Sequence, residues 1–319
     1  MSRPVGIGVI GCADIAVRRM LPAFATGPET EVVAVASRTL GKAERVAERF
    51  GCRAVQGYAA LLELEKVQAV YIPLPAALHA EWVEAALRAG KHVLAEKPLT
   101  PDPLRTEQLL KLARDRGLAL MENVMFVHHP RHEAVRRLVD EGAIGELRGL
   151  QSAFTIPAPA DDDIRYAPEL GGGALPDVGV YPLRAALHFL GPGLEVVGAH
   201  LASGPGRHVE TSGAALLRTP AGVTAQVIFG MEHTYRSTYE LWGGEGRLTV
   251  ERAFTPSADF IPVINLHRGT STEEIRLEPS DQVAATVDAF VAAVRAGSAP
   301  GEDVLRQAVL IDDVRRRSA

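Results

Sequence analysis

The stretch VGIGVIG, Val5 to Gly11, sets the architecture of the N-terminal half of the chain. Its apolar residues predict a short strand, and Gly6, Gly8 and Gly11 form the pattern G-x-G-x-x-G. The pattern alone is weak in a chain with 30 glycines, but here it follows a strand and opens a helix. In that context Gly8 lets the main chain approach a pyrophosphate, and the helix N-terminus faces the negative charge. A tight turn without a ligand is the alternative interpretation.

Strands and helices continue to alternate after this loop. Apolar, strand-like segments are separated by helix-like segments as far as about residue 122, and they read EVVAVAS, RAVQ, VQAVYIPLP, HVLAEKP and LALMENVMF. Nearly continuous apolar strands joined by helices are typical of a parallel sheet that is buried on both faces. The sequence therefore predicts an α/β fold with an N-terminal dinucleotide-binding Rossmann domain over residues 1–122.

The pattern changes in the second half. From Leu147 onward longer segments such as LRGLQSAFTI, VTAQVIFGME and TYELWGGEGRLTVE show alternation of apolar and polar residues, and the helix YPLRAALHFLG interrupts them. Alternation of this kind favours a mostly antiparallel sheet with one covered face. Residues 123–319 are thus predicted to form an α+β domain with an open sheet, and the closing helix fits either domain.

Composition excludes several classes of partner. The net charge of −5 argues against a nucleic-acid or anionic-membrane surface, because such partners need a basic face. The two cysteines, Cys12 and Cys52, lack metal-ligand spacing and fit a reducing compartment, so no metal is expected. No charged leader and no membrane-length apolar run are seen, which predicts a soluble cytoplasmic protein.

The end of the second strand indicates which dinucleotide is bound. Enzymes that use NAD usually place a carboxylate there for the ribose 2′-hydroxyl, but this chain has Ser37, Arg38 and Thr39. A guanidinium and hydroxyls suit a 2′-phosphate, so the sequence predicts NADP(H). A surface Arg38 in a protein that accepts both cofactors is the alternative.

The segment HVLAEKPLT, His92 to Thr100, places Lys97 at the carboxyl end of a buried strand. Ligands of a doubly wound sheet lie at this edge, so the side chains expected to face a nicotinamide are Leu74, His79, Glu96 and Lys97. When a ketone accepts a hydride, the alkoxide that forms needs a proton, which a lysine donates or orients. The alternatives are a surface salt bridge for the lysine and a purely structural role for His79.

The second half supplies a partner in GGGALPDVGVYPL, Gly171 to Leu183. Asp177 and Tyr181 are spaced i, i+4 and share one face if the segment is helical. A phenol is a proton donor for a carbonyl, with Lys97 as the nearby cation, whereas a buried core tyrosine is the alternative.

These segments together resemble the glucose–fructose oxidoreductase and inositol dehydrogenase (Gfo/Idh/MocA) family. The resemblance covers nearly the whole chain, and EKP with the GGG–D–G motif is more specific than the glycine loop. It implies a Rossmann domain followed by an α+β domain whose open sheet is often buried in a homo-oligomer, dimer or tetramer. It also implies that Lys97 is catalytic and that Lys97–Pro98 is a cis peptide, which would aim the lysine.

Finer details depart from many family members, which carry histidine where this chain has Tyr181. DIRYAPELGGGALPDVGVYPLRAALHFLGP and GGEGRLTVERAFTP are similar to the NDP-hexose 3-ketoreductases of antibiotic deoxysugar pathways. This similarity implies NADPH-dependent reduction of the C-3 ketone of a dTDP-3,4-diketo-2,6-dideoxyhexose to the 4-keto-2,6-dideoxy sugar nucleotide. An NADP-dependent aldose or trans-dihydrodiol dehydrogenase, and a non-catalytic NADP-binding regulator, are the alternatives.

The resemblance also implies a set of site residues. Catalysis is expected from Lys97, Tyr181 and Asp177, with the proton donor left open between the first two. Expected cofactor contacts are Gly8, Gly11, Cys12, Ala13, Asp14, Ile15, Ser37, Arg38, Leu74, His79, Glu96, Lys97, Asn123 and Arg165. Expected substrate contacts are Lys97, His128, Tyr166, Asp177, Tyr181 and Tyr235.

Overall fold

The chain divides into two units, as described by a computed structural model that covers residues 3–318. The first unit contains residues 3–123 and Val283–Val304. The second contains Val124–Gln282 and residues 305–318. No helix in the described part of the chain is long and apolar enough to cross a membrane.

The first unit is built on six parallel strands in the order β3-β2-β1-β4-β5-β6. The strands are β1 (Val5–Ile10), β2 (Thr30–Ser37), β3 (Arg53–Gln56), β4 (Ala69–Ile72), β5 (His92–Glu96) and β6 (Leu120–Asn123). All residues of β1 and β4 are buried, as expected for a parallel sheet that helices cover on both faces. The predicted Rossmann topology is confirmed, and its strand order reverses between β1 and β4, where such sheets bind ligands.

Helices connect these strands. They are α1 (Leu21–Thr26), α2 (Leu40–Phe50), α3 (Tyr58–Leu62), α4 (His79–Arg88) and α5 (Pro103–Asp115). A π-helical turn, Ala16–Met20, joins the glycine loop to α1. Asp102 caps α5 by accepting a hydrogen bond from the Leu104 N–H, and Pro103 occupies the first turn, where its missing N–H costs nothing.

The second unit contains an eight-stranded sheet in the order β14-β13-β12-β11-β7-β10-β9-β8. The strands are β7 (Leu147–Thr155), β8 (Glu195–Ala202), β9 (Ser212–Arg218), β10 (Thr224–Gly230), β11 (Arg236–Gly243), β12 (Arg247–Glu251), β13 (Val263–Arg268) and β14 (Ser271–Arg276). Neighbouring strands are antiparallel except for β7 and β10, which pair in parallel. The predicted mostly antiparallel sheet is therefore confirmed.

The remaining helices are α6 (Pro130–Asp140), α7 (Val180–Leu190), α8 (Gln282–Ala296) and α9 (Glu302–Arg317). The predicted division placed residues 123–319 in the second domain, whereas the segment Val283–Val304 returns to the first unit. Its packing gives the reason. Arg295 on α8 forms a 2.5 Å ion pair with Glu29, and Gly301 lies against the Leu110 side chain of α5.

Two details of the second sheet differ from the sequence interpretation. The segment TYELWGGEGRLTVE is not one strand but the hairpin β11–β12, in which Gly243 donates a hydrogen bond to the Gly246 carbonyl across the turn. Strand β14 was not predicted, because nearly all of its residues are exposed and polar and it shows no apolar alternation. It is an edge strand, where charged side chains are common.

Two histidines of the second unit, the buried His129 and the half-buried His188, make its stability depend on pH. Burial, with Arg131 adding to it, lowers the pKa of His129 to about 4, and burial with Arg136 and Arg184 lowers the pKa of His188 to about 4. The unfolded chain binds these protons near pH 6.5, so between pH 6.5 and about 4 it binds more protons than the native state. The contribution of each histidine to the free energy of unfolding is fully present above pH 6.5 and is lost as the pH falls toward 4. For a group as buried as His129 this loss is up to about 3 kcal/mol.

We therefore expect the urea midpoint of the whole protein to fall between pH 7 and pH 4.5, and His129→Asn to reduce this fall. Asparagine keeps the cap that His129 gives the Arg131 N–H at the start of α6 but removes the titrating ring. His200→Gln is the matched control, because His200 is exposed. An unchanged pH slope in His129→Asn would contradict the prediction.

Candidate active site

The loop after β1 has the geometry of a dinucleotide-binding turn. Gly11 has φ +113°, and a Cβ added there would lie 2.8 Å from Leu74 Cδ2. Gly8 packs against Leu61, since a Cβ there would lie 2.7 Å from its Cδ2, so its small size serves close packing beneath the loop. Cys12 is buried, Ala13 and Ile15 are half-buried, and Asp14 is exposed where the helix begins.

The end of β2 concentrates positive charge. Ser37 is buried, and its hydroxyl accepts a hydrogen bond from the Thr39 N–H at 3.4 Å, while the Arg38 side chain is exposed. Burial raises the pKa of the Cys12 thiol, and the cations Lys42 and Arg45 of α2 act against that rise, which places both near the glycine loop. The donor set therefore fits a phosphate group. Lys42 and Arg45 were not predicted, although their spacing of four and seven residues from Arg38 was available in the sequence.

A second group of predicted residues lies at the carboxyl ends of β4, β5 and β6. The Glu96 carboxylate accepts hydrogen bonds from Tyr71 Oη and Asn123 Nδ2, both at 2.6 Å. Asn123 is buried, and its Oδ1 has no hydrogen-bond partner among the described residues. An orphaned acceptor at this edge of the sheet fits an amide donor such as the carboxamide of a nicotinamide.

Lys97 directly follows β5 and is half-buried. The Lys97–Pro98 peptide bond is cis, which confirms the expectation drawn from the EKP motif. His79 opens α4 and is buried, and both of its ring nitrogens face main-chain carbonyls. The structure thus gives His79 contacts with the protein itself, and its contact with a cofactor stays a prediction.

In the second unit the segment that carries Asp177 and Tyr181 is helical, which was the condition for the two side chains to share a face. Asp177 lies in a π-helical turn, Leu175–Gly179, and Tyr181 is the second residue of α7. The structure brings Asp177 together with Arg165, whose Nε donates to Asp177 Oδ2 at 2.6 Å. Burial alone would lower the pKa of Arg165, but Asp177 and Asp163 raise it above its usual value. Arg165 is therefore a permanent cation that fixes the Asp177 carboxylate.

Tyr181 is held in an aromatic cluster. Its ring centroid lies 4.8 Å from that of Phe154, 5.6 Å from that of Phe254 and 6.2 Å from that of Phe126. These three phenylalanines are buried, while the tyrosine itself is half-buried. Sequence reasoning missed them, because nothing distinguishes them from ordinary core residues. The cluster fixes the direction of the phenol ring.

Of the other predicted substrate residues, Tyr235 contacts this cluster and Tyr166 does not. Tyr235 packs against Phe154 with centroids 6.3 Å apart, and its hydroxyl lies 3.3 Å from Thr255 Oγ1. His128 is half-buried, and burial together with Arg184 lowers its pKa. Tyr166 belongs to a different group, because its hydroxyl donates to Glu232 at 3.0 Å and the Arg207 guanidinium lies 3.7 Å from its ring centroid.

The doubly wound sheet, the glycine loop and the lysine at the end of β5 define the class of dinucleotide-dependent oxidoreductases. A model of an oxidoreductase family with an NAD-binding Rossmann fold matches residues 5–124, and a model of the GFO/IDH/MocA C-terminal domain matches residues 132–249. The chain belongs to the GFO/IDH/MocA oxidoreductase family, which confirms the resemblance seen in the sequence.

Two relatives are similar over nearly their whole length, and each is named dTDP-3,4-didehydro-2,6-dideoxy-α-D-glucose 3-reductase. The one from Actinomadura kijaniata is 55% identical over 317 residues, which are 98% of this chain and 96% of the relative. The one from Streptomyces violaceoruber is 56% identical over 326 residues, 98% of this chain and 95% of the relative.

A solved structure of a 3-ketoreductase is also similar to this chain over nearly its whole length. The 3-ketoreductase KijD10 from Actinomadura kijaniata, in complex with NADP and TDP-benzene, matches with a TM-score of 0.96 and 54% identity. The match covers 99% of this chain and 98% of the solved chain.

Proposed function

We propose that this protein is an NADPH-dependent sugar-nucleotide 3-ketoreductase of deoxysugar biosynthesis. It reduces the C-3 ketone of a dTDP-3,4-diketo-2,6-dideoxyhexose and yields the 4-keto-2,6-dideoxy sugar nucleotide. The observation that carries the proposal is the identity of 55% and 56%, across 98% of the chain, with two enzymes that bear the name of this reaction. The free thiols Cys12 and Cys52 support a cytoplasmic location.

The residues present fit NADP(H) better than NAD(H). Ser37 and Arg38 stand where a carboxylate would bind an unphosphorylated ribose, and Lys42 and Arg45 add positive charge nearby. The unpartnered Asn123 Oδ1 supports a carboxamide at the end of β6. When bound, the reduced nicotinamide supplies a hydride to the C-3 carbon of the sugar.

Two residues of the chain stabilise the negative charge on the C-3 oxygen and supply its proton. The Lys97 ammonium donates a hydrogen bond to the C-3 oxygen and stabilises the negative charge that develops there. The Tyr181 hydroxyl gives that oxygen its proton, so a hydride and a proton together convert the ketone to an alcohol. Asp177, fixed by Arg165, orients the sugar or the lysine.

A direct assay tests the function. The substrate is generated in situ by a 2,3-dehydratase, and the consumption of NADPH and of NADH is followed separately by absorbance. We expect rapid consumption of NADPH with formation of the 4-keto product. No consumption, together with reduction of NADP⁺ by free xylose, glucose or a dihydrodiol, would overturn the proposal in favour of a sugar or dihydrodiol dehydrogenase.

Arg38 provides a test of cofactor choice. We expect Arg38→Ala to raise the KM for NADPH about 10-fold and to leave the KM for NADH within about 2-fold, because one charge-assisted hydrogen bond to the 2′-phosphate is lost. Arg49→Ala is the control, since Arg49 lies in the last turn of α2, the helix that follows Arg38, and packs over Phe50. Equal effects on both cofactors would contradict the assignment.

The second sheet supports a homo-oligomer, dimer or tetramer. It exposes apolar side chains on β8, β9, β10 and β11, namely Val197, Leu216, Ile228 and Trp242. Exposed apolar patches of this kind mark interaction surfaces. We expect light scattering to give a mass of two or four chains, and Ile228→Glu to shift it toward the monomer. A monomeric wild-type protein would contradict this assembly.

A further inference from the structure

The buried imidazole of His79 connects two loops at the carboxyl edge of the first sheet. Its Nδ1 lies 2.8 Å from the Pro98 carbonyl oxygen, and its Nε2 lies 2.7 Å from the Leu74 carbonyl oxygen. His79 is 1% exposed, so both contacts are shielded from water. The ring therefore lies between main-chain carbonyls of two separate loops, within hydrogen-bond distance of each.

Each of these loops lies next to a residue or loop that the proposed function uses. Pro98 follows Lys97, so its carbonyl belongs to the peptide unit that immediately follows the lysine. Leu74 follows β4, and its side chain packs against Gly11 of the dinucleotide loop. The His79 ring therefore lies between the backbone that follows Lys97 and Leu74, the residue that packs against the glycine loop.

The residues on either side of Lys97 and Pro98 are also held by hydrogen bonds. Glu96 is held by Tyr71 and Asn123, and the Leu99 N–H donates to Glu122 Oε1 at 2.8 Å. His79 completes this series, because it binds the carbonyl of the residue between Lys97 and Leu99. The segment is thus anchored before the lysine and at both residues after it.

The proton on the ring determines which contact is a hydrogen bond. Burial lowers the pKa of His79, while the two carbonyls and Glu96 raise it and Lys97 lowers it. The neutral ring carries one N–H and donates to one carbonyl only. Substitutions that keep one nitrogen position at a time therefore separate the two contacts.

We propose that His79 is a positioning residue that fixes Lys97 through its hydrogen bond to the Pro98 carbonyl. This inference rests on the role of Lys97 in the proposed function. His79 holds the peptide that follows the lysine, and Lys97 contacts the ketone.

Two matched variants test the proposal. In His79→Asn the side-chain amide takes the position of Nδ1 and keeps a donor for Pro98, whereas in His79→Gln it takes the position of Nε2 and keeps the donor for Leu74. His79→Leu removes both contacts and fills the site with an apolar side chain. His92→Gln is the control, because His92 lies at the opposite end of β5, where its Nδ1 accepts a hydrogen bond from the Ala119 N–H.

We expect His79→Gln and His79→Leu to lower kcat by about 10- to 100-fold, because a displacement of the reacting group by about 1 Å has effects of this size. The KM for the sugar nucleotide and the Kd for NADPH should change less than kcat. His79→Asn should retain kcat within about 3-fold, and His92→Gln should match the wild type. Thermal melting of all four variants measures any loss of stability separately.

A second readout does not need turnover. Competitive acetylation followed by mass spectrometry gives the reactivity of Lys97 in the NADP⁺ complex, relative to the surface Lys111. We expect this ratio to change in His79→Gln and His79→Leu and to stay at the wild-type value in His79→Asn and His92→Gln. If His79→Gln does not fold, His79→Leu and His79→Asn still give the comparison.

Equal kcat values and equal Lys97 reactivities in the Asn and Gln variants would overturn the proposal, since a merely structural histidine would not distinguish the two nitrogen positions. Failure of the proposed function gives a different result. In that case the wild type does not reduce the sugar nucleotide, while the acetylation ratio still reports whether His79 positions Lys97.

Discussion

Lys97→Met is expected to lower kcat for the ketone about 1000-fold. Methionine keeps much of the length and apolar surface of the lysine side chain but has no charge and no hydrogen-bond donor. Removing a donor from a developing oxyanion costs about 100- to 1000-fold, and the upper end applies because the positive charge is lost together with the donor. Single-turnover measurements with saturating NADPH isolate this effect on the chemical step.

The control for this prediction is Lys91→Met. Lys91 precedes the other end of β5, and its Nζ donates to the carbonyls of Leu64 at 3.0 Å and Val67 at 2.7 Å. Its loss should lower the melting temperature and leave kcat near the wild-type value. Lys97→Arg should remain impaired, because a planar guanidinium does not occupy the position of a compact ammonium. A Lys97→Met variant with wild-type turnover would remove the lysine from the mechanism.

The first sheet could be predicted because its signals are local. Each strand is a short apolar run next to a turn or a helix cap, and the glycine loop lies within a few residues of the strand and helix that it connects. The return of Val283–Val304 to this unit could not be predicted, since an amphipathic helix shows which face is buried but not which partner covers it. That choice depends on contacts such as Arg295 with Glu29, far apart in sequence.

The site residues also fall into those that the sequence could predict and those that it could not. The positions of Lys97, Ser37 and Arg38 follow from the rule that ligands bind at the carboxyl ends of parallel strands. The partners of Asp177 and Tyr181 did not follow, because Arg165 lies in a separate 3-10 turn, Ile164–Tyr166, and the phenylalanines come from distant elements. A sequence motif identifies a chemical group, and the tertiary packing determines what holds it.

Tyr181→Phe is expected to lower kcat about 100-fold with little change in the KM for NADPH. The substitution removes only the phenolic oxygen, so the ring contacts with Phe126, Phe154 and Phe254 remain. Loss of a general acid costs about 100- to 10,000-fold, and the lower end applies here because the Lys97 ammonium and solvent remain as proton sources. Single-turnover rates and the solvent deuterium isotope effect should change together.

The matched control is Tyr235→Phe, which removes a hydroxyl from a tyrosine on the outer side of Phe154. It tests substrate contact and should raise the KM for the sugar nucleotide without a comparable loss of kcat. Wild-type turnover in Tyr181→Phe would contradict the acid role of the tyrosine. Lys97 would then be the proton donor, because its ammonium carries a proton at the carboxyl end of β5 and the Lys97→Met variant would still be inactive. The two substitutions together therefore assign both the proton and the charge stabilisation at C-3.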